Sequence, residues 1–116
     1  MPIDEKRYLE LADRALSRVL RAFDEIDSDD ADLDVSGDVI AIRFRDGSRA
    51  VLNTQRPARQ LWLAGGASAW HFDYDEARQA WTDSKGSGAE LFATVARLAS
   101  EGAGVTLRFD DAREAT

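Results

Sequence analysis

The hydrophobic period of this chain changes twice, and that change restricts its fold more than any other feature. Leu9, Ala12, Leu16, Val19 and Phe23 recur at helical spacing, and Leu20 widens the stripe. Asp13, Arg14, Ser17, Arg18 and Arg21 form the opposite, solvated face. This predicts a helix from about Asp4 to Glu25. From Leu33 the period becomes two: Leu33/Val35, Ile40/Ile42/Phe44 and Ala50/Leu52 alternate with polar residues, as half-buried strands do. Gln60 to Leu63, Ala69 to Asp75 and Ala80 to Thr82 complete about six short strands. Helical spacing returns at Leu91, Val95 and Leu98, predicting a second helix from Ser87 to about Ser100. Ser87 and Glu90 are spaced as a capping box, and Gly102 is placed as a stop.

Gly37-Asp38 and Asp46-Gly47 read as tight turns, the second a strong hairpin signal. Connections this short suit an antiparallel meander, because parallel pairing needs long crossovers. Each helix has one apolar stripe and the sheet one apolar face, so both helices are expected on the same side. The expected fold is therefore α+β: an α-β-sandwich with two helices on one face of a mainly antiparallel sheet, the other face open to water. The 116 residues suit a single domain. It is expected to be structured from about residue 4 to 109, with 110–116 frayed. Val105, Leu107 and Phe109 alternate once more and are expected to run back over the seam between the helices.

Charge is distributed unevenly. From Ala22 to Ile42 there are eight carboxylates (Asp24, Glu25, Asp27, Asp29, Asp30, Asp32, Asp34, Asp38) and no Lys or Arg. The formal net charge is −7, so the remainder of the chain sums to +1. Carboxylates at a helix C-terminus meet the negative end of the macrodipole, at a cost of roughly 0.3–1 kcal/mol each when exposed. A solvated face that aids solubility is one reading of such a stretch. The dipole cost, and the alternation that puts Asp32 and Asp34 on one side of a strand, favour a functional ridge. These are hard oxygen donors suited to Mg, Ca, Mn or ferrous iron. The spacing is not that of an EF-hand, since counting from Asp27 the sixth residue is Asp32 and the twelfth is Asp38. Coordination is expected to be weak and open to water.

Other chemistry is restricted. There is no cysteine, which excludes disulfides, thiolate metal sites and thiol catalysis. A pI near 4.6 argues against nucleic acid and anionic membranes as partners. No stretch has the apolar length of a membrane span, and no signal or transit peptide is visible, so the cytoplasm is expected. No nucleophile elbow or phosphate-cradling loop is present, and no enzyme site is expected.

On Gln60-Leu61-Trp62-Leu63, alternation sends Leu61 and Leu63 inward and Gln60 and Trp62 onto the uncovered face. An exposed Trp suggests a contact surface. The competing reading has the ring half-buried among neighbouring outward side chains. Trp70, Phe72 and Tyr74 share the core-directed face, and Trp81 is expected to be buried. His71, the single histidine, is expected outward beside Asp73 as a surface residue or a weak ligand. Without a second histidine no His-based zinc-enzyme site can form.

The stretch Asn53-Thr-Gln55-Arg-Pro57-Ala-Arg-Gln60-Leu-Trp62-Leu63 resembles the signature of the frataxin family, Asn-x-Gln-x-Pro-x-x-Gln-aliphatic-Trp-Leu. Phe44-Arg-Asp46-Gly47-Ser48 is similar to that family's hairpin, and Ala69-Trp70-His71-Phe72-Asp73 resembles a segment of its bacterial branch. The likeness runs from about Tyr8 to Phe109. It implies a frataxin-like sandwich and a non-enzymatic role in iron–sulfur cluster assembly, as an iron-dependent regulator of the cysteine desulfurase. It maps the metal ridge onto Asp24, Glu25, Asp27, Asp29, Asp30, Asp32 and Asp34, and the partner surface onto Asn53, Gln60 and Trp62. Alternatives within the same resemblance are an iron chaperone serving the cluster scaffold protein, or a ferroxidase. The resemblance implies iron, Fe2+ or Fe3+, held weakly in solvent, with other divalent cations able to substitute. A monomer is expected, with metal-induced oligomers as a further state. In the first helix, Leu20 and Arg21 stand where bacterial members often carry paired glutamates, and the loop at Asp30 and Ala31 is one residue longer.

Overall fold

The computed structural model describes residues 3–109. Helix α1 spans Glu5–Ala22 and is followed by six strands: β1 (Ala31–Ser36), β2 (Val39–Phe44), β3 (Arg49–Gln55), β4 (Gln60–Gly65), β5 (Ser68–Asp75) and β6 (Ala80–Asp83). Helix α2, Leu91–Ala103, closes the order. The strands pair in chain order, every neighbour antiparallel, giving the expected meander with β1 at one edge and β6 at the other. Both helices press their buried side chains onto one sheet face. Tyr8, Leu11, Ala15 and Val19 of α1 and Leu91, Val95 and Leu98 of α2 share one core with Ile40, Leu52, Leu61, Leu63 and Phe72. Among the described residues no helix is long and apolar enough to cross a membrane.

The stripe of α1 is rotated from the expected one. Its buried residues are Tyr8, Leu11, Ala12, Ala15 and Val19, whereas Leu9 is 36% exposed and Leu16 and Leu20 lie at the margin. The reason is Tyr8, whose ring enters the core while its hydroxyl donates to the Gln60 carbonyl at 2.8 Å. A buried tyrosine needs such a partner for its polar end. The helix also ends at Ala22, three residues short of Glu25. Asp4 caps its start, accepting from the Arg7 N–H at 2.8 Å. Its end tightens through Asp24 N–H to Arg21 carbonyl and Ile26 N–H to Phe23 carbonyl contacts, which bury Phe23 and turn the acids outward.

Helix α2 begins later than expected. Glu90 is the cap, its carboxylate accepting from the N–H groups of Phe92 (3.0 Å) and Ala93 (2.9 Å). Ser87 accepts from Ala89 N–H in the preceding loop. Gly102 is no stop but a buried helical residue, where an added Cβ would come within 2.8 Å of Phe44. The stop is Gly104, left-handed at φ +67, donating to the Ser100 carbonyl. Val35, expected in the core, is 49% exposed, one residue from the end of edge strand β1, whose last three residues are all exposed.

Of the aromatic residues expected inside, Phe72 and Trp81 are buried, while Trp70 and Tyr74 are half-buried. The Tyr74 and Trp81 rings meet edge to face at 5.3 Å. The Val105–Leu107–Phe109 segment forms no strand, yet it covers the seam as expected: Leu107 is buried and the Phe109 ring lies 4.8 Å from Phe92 of α2. Arg18 of α1 lies over that same Phe92 ring at 4.3 Å. The expectation for residues 110–116 lies outside the described residues.

Candidate functional site

The acidic segment begins where α1 ends. Phe23 and Ala31 turn into the core with Ile26 beside them, so the intervening Asp24, Glu25, Asp27 and Asp29 are exposed. Asp27 organises the turn. Its carboxylate accepts from Asp29 N–H at 2.8 Å, and its carbonyl accepts from Asp30 N–H (2.9 Å) and Ala31 N–H (3.1 Å). β1 then carries Asp32 and Asp34 outward, both exposed. Of the seven carboxylates expected on the ridge, Asp24, Glu25, Asp27, Asp29, Asp32 and Asp34 are exposed and Asp30 is half-buried.

Two of the seven are engaged by arginines. Arg45, at the β2–β3 hairpin, forms an ion pair with the Asp30 carboxylate, and its backbone N–H donates to the Asp30 carbonyl at 2.9 Å. Arg43 of β2 stands opposite Asp32, with Nη2 at 3.7 Å from the carboxylate. Asp38 lies at the other end of the β1–β2 hairpin, where the Thr54 hydroxyl donates to it. Among the described residues no three carboxylate or histidine side chains converge as a metal cage. The donors fit a hard cation by chemical type, each supplying one or two oxygens with water completing the shell. They do not form an enclosed site.

The second feature is on the open face of the sheet. Trp62 of β4 is in register with Asn53 of β3 and with His71 of β5. Its indole lies flat on the imidazole, ring centres 4.1 Å apart and planes within 10°. The indole N–H donates to the Gln60 side-chain oxygen at 2.8 Å, and the Gln60 amide donates to the Asp73 carboxylate at 3.0 Å. The Asn53 side chain donates to the Thr54 carbonyl at 3.0 Å. Trp62 is therefore outside the core but half-buried, held in one orientation by Gln60 and His71. The three predicted partner residues are brought together on adjacent strands.

Neither composition nor alternation marks Arg43, Arg45 and Arg49 as part of the site. A signal existed: the two-residue turn at Gly37-Asp38 fixes the pairing of Ser36 with Val39, and counting back places Asp32 against Arg43. The Asp46-Gly47 hairpin likewise sets Arg43 against Arg49.

A frataxin-like domain model matches residues 1–105. The "Iron-sulfur cluster assembly protein CyaY" of Delftia acidovorans is 41% identical over 108 residues, covering 90% of this chain and 96% of that protein. The protein of the same description from Stutzerimonas stutzeri is 40% identical over 111 residues, covering 96% and 99%. Among solved structures, frataxin from Psychromonas ingrahamii superposes with a TM-score of 0.81 at 24% identity, covering 94% of this chain and all of that one. At that identity the likeness bears on the fold, which is the same helix-covered antiparallel sheet.

Proposed function

This chain belongs to the frataxin family, and from that premise we propose that it is a non-enzymatic, iron-binding regulator of iron–sulfur cluster assembly in the cytoplasm. In this reading the acidic turn attracts the cysteine desulfurase through a basic patch, and the open sheet face makes the short-range contact. Asp24, Glu25, Asp27 and Asp29 are the carboxylates open to iron, with Asp34 beside them on the strand, while Asp30 and Asp32 must first give up their arginines. Bound iron supplies positive charge that offsets the ridge. The chain's own residues supply recognition: carboxylates steer the encounter over a screening length of about 10 Å at moderate salt.

The observation that carries this reading is the Trp62 cluster. A large ring lies on the face no helix covers, already oriented by hydrogen bonding and stacking. A pre-oriented aromatic anchor loses little freedom on binding, which is what a docking hot spot requires. The test is a desulfurase assay with and without this protein across iron concentrations. An activity that ignores the protein at every iron level refutes the regulator. Exposure of the carboxylates favours one second reading, a chaperone that releases iron to the scaffold protein. Iron loading followed by competition between a chelator and the scaffold separates the two, because a chaperone must transfer metal and a regulator need not.

A further inference from the structure

Surface charge changes sign where β1 meets β2. Asp32 on β1 faces Arg43 on β2, and Arg43 faces Arg49 on β3, all on the open side of the sheet. Like charges directly opposite on neighbouring strands weaken a sheet. Relief is slight, since Asp32 approaches Arg43 at 3.7 Å with both side chains about 60% exposed (61% and 59%). Among the described residues no carboxylate pairs with Arg49. The neighbouring outward row runs Ala41, Val51, Ala64, Ala69 across β2 to β5. These small side chains make an apolar shelf, and the next row holds Val39, Asn53 and the Trp62–His71 stack. The fold has no use for two opposed arginines at the rim of such a shelf.

We infer that the open sheet face docks a protein surface consisting of an apolar strip that ends in carboxylates. The carboxylates seat between Arg43 and Arg49, and the strip lies over Ala41, Val51 and Ala64 as far as Trp62. This rests on the docking reading above and adds the polarity of the partner. Guanidinium forks bind carboxylates bidentately, so two forks on adjacent strands make a planar receptor for one or two acidic side chains. The acidic turn calls for basic groups and the arginine pair for acidic ones, with the boundary a single strand wide. A uniformly basic surface is rejected by Arg43 and Arg49, so the reversal selects the partner and fixes its orientation.

The test compares Arg49→Glu and Arg43→Glu with Trp62→Ala and the unmodified chain, titrated against the cysteine desulfurase and, separately, the scaffold protein. Arg49→Glu turns a like-charge pair into an opposite one, so its melting temperature is expected to hold or rise, which controls for folding. Arg43→Glu also loses the Asp32 contact and sets two carboxylates opposite each other across β1 and β2, so it is expected to be the less stable of the two. Each also makes the chain more acidic by two charges. A basic facing surface then binds tighter, whereas an acidic one binds weaker, by about tenfold or more. The expected result is weakening by Arg49→Glu of the same complex that Trp62→Ala weakens. If Arg49→Glu tightens that complex or leaves it unchanged, the inference is overturned and the docking reading survives. If the unmodified chain binds neither protein, both are overturned. Self-association of the unmodified chain that Arg49→Glu abolishes assigns the face to a second copy, and that too overturns the inference.

Discussion

Trp62→Ala separates docking from folding, and the structure gives a size for each. Truncation removes the stack on His71, centred at 4.1 Å and nearly parallel. Stacked aromatic pairs contribute about 0.5–1.5 kcal/mol beyond burial, with the lower end suited to a half-exposed face. It also removes the 2.8 Å indole bond to Gln60, worth about 0.5–1 kcal/mol net, although Gln60 keeps its bond to Asp73. The core beneath is untouched, because Leu61 and Leu63 point the other way. The expected loss is about 1–2 kcal/mol, or roughly 4–12 °C in melting temperature for a domain of this size. Binding should suffer more, by about 2 kcal/mol or more, a factor of about 30, if the ring is a hot spot. Urea denaturation followed by circular dichroism gives the first number, and calorimetric titration with the desulfurase gives the second. A stability loss above about 4 kcal/mol would place the ring in the core. An unchanged dissociation constant would remove the docking role.

Divalent metal should raise the melting temperature at low salt, since Asp24, Glu25, Asp27 and Asp29 crowd without a cation in the segment. A cation at ten times its dissociation constant adds about 1.4 kcal/mol, and a flat response at low salt would contradict the crowding. Gly102→Ala should destabilise despite the better helix former: the new methyl meets Phe44 at 2.8 Å, and overpacking costs about 1–3 kcal/mol against about 1 kcal/mol gained. A variant as stable as the parent would show that Phe44 can move. Acid should destabilise through three carboxyls held below their ordinary values: Glu76 by its bonds from Arg7, Asp46 by Ser48 and Asp83 by Ser87. Depressed values mean stability that is present above the ordinary carboxyl range and lost as pH falls through the lowered ones. Burial raises Tyr8 and Tyr74, so stability falls again above the ordinary tyrosine value of 10.0. Denaturation midpoints against pH check both limbs, and Tyr8→Phe should flatten the alkaline one.

The meander was legible because period-two alternation and short turns leave few alternatives: Ile40, Ile42, Leu52, Leu61 and Leu63 are all buried as alternation requires. What was not legible depended on residues with two characters. Tyr8 reads as polar along the chain, yet its hydroxyl is satisfied at Gln60, so its ring displaces Leu9 from the core side. Gly102 reads as a breaker, but the close approach of Phe44 demands its missing side chain within the helix. Ser87 and Glu90 fit a capping box, but only Glu90 reaches the first free N–H groups. In the site, the acidic run was legible as composition and Trp62 as alternation. The arginines that engage Asp30 and Asp32 come from another strand and emerge only from register.

Under the proposed function these pieces divide the work of recognition by range. The carboxylates of the turn are exposed and form no cage, so their influence is coulombic, reaching about 10 Å and weakening with salt. Trp62 and its fixed neighbours act within contact distance and are indifferent to salt. A cation on the turn therefore reduces the attraction that forms an encounter without altering the surface that holds it. In the proposed function iron would then act through the association rate, and the sheet face through the lifetime of the complex. The arginine pair stands between them, where a charge of the wrong sign is felt during the encounter and again at contact. That position is why substitution of Arg49 should move both rates, whereas neutralising an acid of the turn should move one.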